Sequence, residues 1–99
     1  FPFDEKTLVF KVAEKMFALS GLENHPSTVN LKCDPEKAIQ LREEFEDVIE
    51  GFHMSKKHWN TITIEGNISN QFIKELVDHS YELVVKGMTK KKQKELGFI

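Results

Sequence analysis

The sequence predicts an α+β fold: a two-layer sandwich, a five-stranded antiparallel sheet with helices on one side, in the order βββ-α-ββ-α. Three observations predict it. Short stretches that alternate polar and apolar residues come as a block of three and then a pair, as half-buried strands do. Two longer stretches, after Asp34 and after Ser69, carry apolar residues at helical spacing behind capping residues. Ninety-nine residues, 39% hydrophobic and 30% charged, fit one domain spanning 1–99. A chain of this size buries roughly two-thirds of the surface its unfolded form exposes.

Each element has its own reason. Thr7 to Val12 places Leu8, Phe10 and Val12 on one face, and Glu14-Lys15 makes a tight turn into a second strand, Met16 to Ser20. Gly21 to Pro26 is loop. Ser27 to Cys33 is a third strand, with Val29, Leu31 and Cys33 in phase. Asp34-Pro35-Glu36 then opens a helix: the Asp34 carboxylate accepts from free N–H groups, proline suits the first helical position, and Glu36 favours the positive end of the dipole. Ala38, Leu41, Arg42 and Phe45 share one side, with the Arg42 stem along the core edge, and the helix ends near Glu46.

Ile49 to Met54 and Trp59 to Glu65 are the fourth and fifth strands, joined by the turn Ser55-Lys56-Lys57-His58. Glu65-Gly66-Asn67 breaks the strand. Ser69 caps a helix from Asn70 to Lys86, with Ile68 and Ile73 as a hydrophobic staple and Phe72, Ile73, Leu76, Val77, Leu83 and Val84 as its apolar stripe. Gly87 ends it, and Thr89 to Leu96 is a last short helix of mostly lysine.

The net charge of −2 gives no global nucleic-acid signature, but its distribution is uneven. Residues 1–50 hold six basic and eleven acidic residues, a net −5; residues 51–99 hold eight lysines and five acids, a net +3. Such asymmetry permits a basic face on an acidic protein. No apolar run reaches the length of a membrane span, and Phe1-Pro2-Phe3-Asp4-Glu5 has neither the basic start nor the apolar stretch of a signal peptide. The one cysteine, Cys33, excludes an internal disulfide framework and fits a reducing compartment. A cytoplasmic location without a membrane partner is therefore expected.

The most informative segment is His53 to Thr61, which gathers two lysines, two histidines and the only tryptophan around one turn. In a strand of this phase Trp59, Thr61 and Thr63 face away from Ile62 and Ile64. Two readings stand level. Lys56 and Lys57 meet phosphates while His58, Trp59, Asn60 and Thr61 approach bases or sugars; or the turn is simply solvated, with Trp59 packed on lysine stems. Lys90, Lys91 and Lys92, with Lys86 and Lys94 around them, can grip a phosphate backbone, or solubilise a C-terminal helix whose dipole they suit. Asn30, Lys32 and Lys11 lie opposite the apolar strand faces and form a candidate pocket around Trp59, or the wet face of an ordinary antiparallel sheet.

No zinc-type ligand spacing, glycine-rich phosphate loop or nucleophile elbow occurs, so neither a metal, a cofactor nor a catalytic residue is expected. Cys33 reads as a small buried hydrophobe, and His79 and Tyr81 as polar contacts at a helix–sheet edge.

Several short patterns together resemble one family: Phe1-Pro2-Phe3-Asp4, Phe10-Lys11-Val12, Lys15-Met16-Phe17-Ala18-Leu19, Asn30-Leu31-Lys32-Cys33-Asp34-Pro35, His53 to Thr61, and Asp78-His79-Ser80-Tyr81. In this order, over almost the whole chain, they resemble the MmcQ/YjbR family of small bacterial proteins. The resemblance implies an α-βββ-α-ββ-α domain likened to type III secretion chaperones, and a DNA-binding protein with a double-wing element. Family members carry a helix of about two dozen residues ahead of Phe1-Pro2-Phe3. Two readings of its absence from this sequence stand open, a truncated product or a sheet less covered than in relatives. A truncated product is expected to expose an apolar patch around Leu8, Phe17 or Leu19 and to self-associate. Ser55 stands where many relatives have asparagine, a mild change in a turn.

The expectation is thus a non-enzymatic protein that binds DNA weakly and with strong salt dependence. The alternative is a protein- or peptide-interaction module resembling secretion chaperones, with a protein partner or as a homodimer.

Overall fold

The computed structural model describes residues 7–21, 27–51, 55–64 and 66–99. β1 (Thr7–Val12), β2 (Lys15–Gly21), β3 (Thr28–Lys32), β4 (Val48–Glu50) and β5 (Trp59–Thr63) form an open antiparallel sheet in the order β1-β2-β3-β5-β4. α1 (Pro35–Glu44) links β3 to β4, α2 (Asn70–Lys86) follows β5, and α3 (Lys90–Glu95) follows α2. β2 runs on through Gly21, expected as loop, while β4 ends before Gly51 and β5 at Thr63, short of Ile64. The rest of the expected loop (22–26) and of the two strands (52–54 and 65) falls outside the described residues.

Register explains the core. Leu31 faces Ala18, Val29 faces Ile62, and Val48 faces Ile62 from the other side, so four strands present apolar side chains to one face. Ala38 and Leu41 of α1 and Leu76 of α2 close over that face, with Cys33 and Ile68 at its margins. Each such leucine or isoleucine contributes about 1.5–3 kcal/mol by leaving water. Phe45 meets Phe72 at 5.5 Å, joining the end of α1 to the start of α2. Phe17 meets Tyr81 edge-on at 5.2 Å, and Tyr81 meets Phe98 at 6.3 Å. Tyr81 therefore makes aromatic contacts at the helix–sheet edge where polar ones were expected.

The caps follow the sequence. Lys37 N–H donates to Asp34, Phe72 N–H to Ser69 Oγ, and Lys92 N–H to Thr89 Oγ1. α1 stops at Glu44, short of Glu46, because Phe45 turns extended (φ −119°, ψ 125°) while its N–H still reaches the Leu41 carbonyl. That early exit lets Val48 open β4 and enter the core.

Two further features depart from expectation. The β1–β2 turn is Ala13-Glu14 instead of Glu14-Lys15, with both residues in the left-handed region (φ 48° and 69°). Further up this ribbon Phe10 faces Ala18 but Lys11 faces Met16, so Phe17 is an extra, bulged residue. The second departure is the face opposite the helices, where Leu19, Asn30, Thr61 and Ile49 form a row across the sheet. Ile49 is exposed, but Leu19 and Thr61 are only 3% and 6% accessible. The centre of this face is not wet, and Leu19 does not join an exposed apolar patch. Leu8 does, together with Phe10 on the edge strand β1.

Candidate nucleic-acid interface

The Ser55–His58 turn is held from both sides. The N–H groups of His58 and Trp59 both donate to the Ser55 carbonyl (3.2 and 3.0 Å), and Cys33 N–H donates to the His58 carbonyl at 2.7 Å. Arg42 reaches over from α1 to donate to the Lys56 carbonyl at 2.8 Å. The turn is thereby pinned beside the C-terminal end of β3. Lys56 and Lys57 project into solvent, and Lys56 lies 3.6 Å from the Glu50 carboxylate. An exposed pair of that kind contributes little to stability.

The aromatic and polar members expected beside those lysines are turned inward. Trp59 is 8% accessible, pairs with Lys32 across the ladder, and accepts the Gly51 N–H on its carbonyl at 2.8 Å. A Cβ added at Gly51 would lie 2.6 Å from Trp59 Cβ, so only glycine permits this approach. Asn60 is 1% accessible and faces the helices, donating to the Ala38 carbonyl and accepting from Arg42. Thr61 Oγ1 donates to Asn30 Oδ1. The expectation that Trp59, Asn60 and Thr61 approach bases is corrected: a buried ring cannot stack on a base, and the two polar side chains are engaged inside the fold. His58 is half-buried, its carbonyl taken by Cys33.

The expected pocket of Asn30, Lys32 and Lys11 around Trp59 is also rearranged. Asn30 is committed to Thr61, and Lys11 is an exposed residue of the edge strand. Lys32 instead borders a cleft with Lys15, Met16, Val84, Gly87 and Met88. This cleft places the C-terminal end of α2 against the same end of the sheet that carries the Ser55–His58 turn. Lys86 ends α2, and α3 begins three residues after Gly87. Gly97 (φ 82°) reverses the chain after α3, and Phe98 returns to Tyr81, which anchors the exposed Lys90, Lys91 and Lys92. Lys15, Lys32, Lys56, Lys57 and Lys86, from four separate segments, collect at one end of the sheet, with α3 attached there.

Two titratable groups lie behind this end. Burial pushes the Cys33 thiol up, only partly opposed by Lys37, so it is a poor nucleophile at neutral pH. Burial, aided by Lys37, pulls His79 below its usual value, and its Nε2 accepts the Asp34 N–H at 3.4 Å. Among the described residues no three His, Cys, Asp or Glu side chains come together as a metal site. Among them, too, no helix is long and apolar enough to cross a membrane.

A protein-family model described as YjbR matches residues 1–83. The chain belongs to the YjbR family. YbdF of Escherichia coli O157:H7, an uncharacterised protein, is 35% identical over 96% of this chain and 78% of its own length. YjbR of Escherichia coli, also uncharacterised, is 37% identical over 94% of this chain and 79% of its own. The crystal structure of a Deinococcus radiodurans protein with a DUF419 domain superposes on the YjbR-family chain with a TM-score of 0.92 at 43% identity, covering 98% of this chain and 75% of that one. A Pseudomonas syringae protein shares the fold (TM-score 0.71, 24% identity, 84% of this chain and 80% of that one).

Sequence reading missed two residues that position the site in this YjbR-family protein. Ser80, fully buried on α2, accepts the Lys32 N–H at 2.9 Å and donates to the Phe17 carbonyl at 2.5 Å, locking the end of β3 to the bulge of β2. A small polar residue on the apolar side of a helix was the available signal. The other is Lys15: the sequence predicts the turn at Glu14-Lys15, and its actual position at Ala13-Glu14 puts Lys15 on β2 beside the cleft.

Proposed function

We propose that this YjbR-family protein acts in the cytoplasm as a non-enzymatic binding protein that contacts the phosphate backbone of nucleic acid. The supporting observation is the gathering of lysines from four segments, with α3, at one end of the sheet. Lys56, Lys57, Lys90, Lys91 and Lys92 make the contacts, and because Trp59, Asn60 and Thr61 are buried, binding is indifferent to base sequence. It is weak, since the net charge of −2 opposes approach. With about five phosphate contacts, log K falls with log salt at a slope near −4 to −5.

Fluorescence anisotropy of labelled duplex and single-stranded oligonucleotides, at low and moderate salt, tests the reading. Absence of binding to either at low salt, by protein shown to be folded, would end it.

One observation favours a second reading, a protein- or peptide-interaction module. Leu8 and Phe10 are exposed on β1, which among the described residues pairs with β2 alone and so forms an edge of the sheet. That strand can add a peptide or a second copy by β-augmentation. Light scattering reports self-association, and this reading expects association that persists at high salt.

A further inference from the structure

We propose that the cleft between the β2 and β3 ends and the α2–α3 junction binds a small amphipathic organic anion: one carboxylate or phosphate head on a short apolar body. The cleft has a volume of about 260 Å³. That is just below the range of roughly 300–1,000 Å³ usual for ligand pockets, and suits a compact ligand.

Its walls combine two chemistries. Met16, Val84 and Met88 supply apolar surface, and methionine adapts its shape to irregular ligands. Lys15 and Lys32 border the same space. Among the described residues neither lysine is engaged in an ion pair. Lys86 and Lys90 flank the lining pair Gly87-Met88 in sequence and add to the positive field there. A neutral apolar ligand would leave these cations unused, and an inorganic anion would leave the apolar wall wet.

The backbone beside the cleft is strained as well. Ala13 and Glu14, immediately before Lys15, both hold φ values that L-residues seldom adopt. Strain of this kind concentrates at functional sites. The proposal stands apart from the phosphate-backbone reading, because it needs an apolar tail seated against Met16, Val84 and Met88 and that reading does not.

The test is a two-dimensional amide NMR titration of the intact chain with octanoate, monooctyl phosphate, 1-octanol and inorganic phosphate. The expected result is saturable shifts centred on Lys15, Met16, Lys32, Gly87 and Met88 with one or both anionic amphiphiles. The tighter of the two identifies the head group. Octanol and inorganic phosphate should each bind about tenfold more weakly or worse, as removal of one charge-assisted contact implies. Lys15→Gln with Lys32→Gln should weaken the amphiphile by a further tenfold or so; Lys15→Gln alone, at an exposed position, serves if the pair perturbs folding. Equal binding of octanol, equal binding of inorganic phosphate, shifts centred elsewhere, no saturable shift up to about 10 mM, or affinity unchanged by the lysine substitutions would each overturn the proposal.

Discussion

The Arg42 guanidinium donates to Asn60 Oδ1 at 3.2 Å and, through the same nitrogen, to the Lys56 carbonyl at 2.8 Å. One side chain thus ties α1 to the centre of the sheet and to the lysine turn. Asn60 completes the node by donating to the Ala38 carbonyl at 3.3 Å. Asn60→Ala removes both the Arg42 and the Ala38 bond at a position only 1% accessible, which costs about 1–3 kcal/mol. Urea unfolding should show that loss with an unchanged m-value. Arg42→Ala should, in addition, raise hydrogen exchange across Lys56–Trp59 while α2 keeps its protection.

Ser80 forms the corresponding node on the other helix. Ser80→Ala removes the acceptor for Lys32 N–H and the donor to the Phe17 carbonyl at a fully buried position. Two backbone groups lose their partner at once, so the expected loss is about 2–3 kcal/mol, larger than for a typical single hydrogen bond. Thermal unfolding of the variant checks it. A loss no larger than that of an exposed serine would mean that neither bond matters.

These nodes mark the boundary of what the chain's pattern reveals. Thr7–Val12 and Asn70–Lys86 were legible to the residue because alternation, helical spacing, the Ser69 cap and Gly87 all agree locally. The layering was legible too, since Val29, Leu31 and Ile62 repeat with period two and the α2 stripe with period 3.6. Period assigns a face to Thr61 and Trp59 but says nothing of what covers it, so their burial was not legible. Asn60 looks like an exposed strand polar residue until Arg42 and Ala38, far off in sequence, are brought against it. The Ala13-Glu14 turn lacks the Asn or Gly that usually marks left-handed residues, so the register of the hairpin was misplaced by one. Site geography depends on such tertiary facts, and it was the least legible part.

His79 gives the fold a pH dependence. Its Nε2 accepts the Asp34 N–H, which only an unprotonated nitrogen can do, and burial together with Lys37 holds its pKa below the usual value, with Asp34 pulling the other way. The unfolded chain takes up the proton near pH 6.5, the folded chain only at lower pH. The unfolded state therefore binds more protons in that interval, and stability rises with pH across it. His79's contribution is present above about pH 6.5 and is lost as pH falls through the folded value. Tm measured from pH 5 to 8 should fall on the acid side, and His79→Gln should flatten that part of the profile.

The β1–β2 turn carries removable strain. Each L-residue in the left-handed region costs about 1–2 kcal/mol, whereas Asn-Gly accepts a two-residue hairpin turn of this kind readily. Ala13→Asn with Glu14→Gly should therefore stabilise the protein by about 1 kcal/mol, part of the gain being offset by glycine's greater freedom in the unfolded chain. A rise in Tm is the readout. If the strain serves the neighbouring Lys15, the same variant binds the anionic amphiphiles more weakly even though it is more stable.

Burial of Trp59 separates the two ways a nucleic acid could be held. A stacking indole changes its emission on binding; one that is 8% accessible and packed against Gly51 does not. Addition of oligonucleotide should raise anisotropy of the labelled strand while tryptophan emission stays unshifted, and acrylamide should quench that emission poorly in the free protein. Lysine substitutions then report the charge contribution alone. Lys90→Gln, Lys91→Gln and Lys92→Gln together should lower the magnitude of the salt slope by about 2.5–3, since each lost phosphate contact removes about 0.9. Lys56→Gln with Lys57→Gln should lower it by less than two full contacts, because Lys56 is already partly offset by Glu50 at 3.6 Å. Affinity for duplexes of different sequence should fall in parallel in every variant. Sequence-selective loss would instead require base contacts that the inward-facing Asn60 and Thr61 cannot supply.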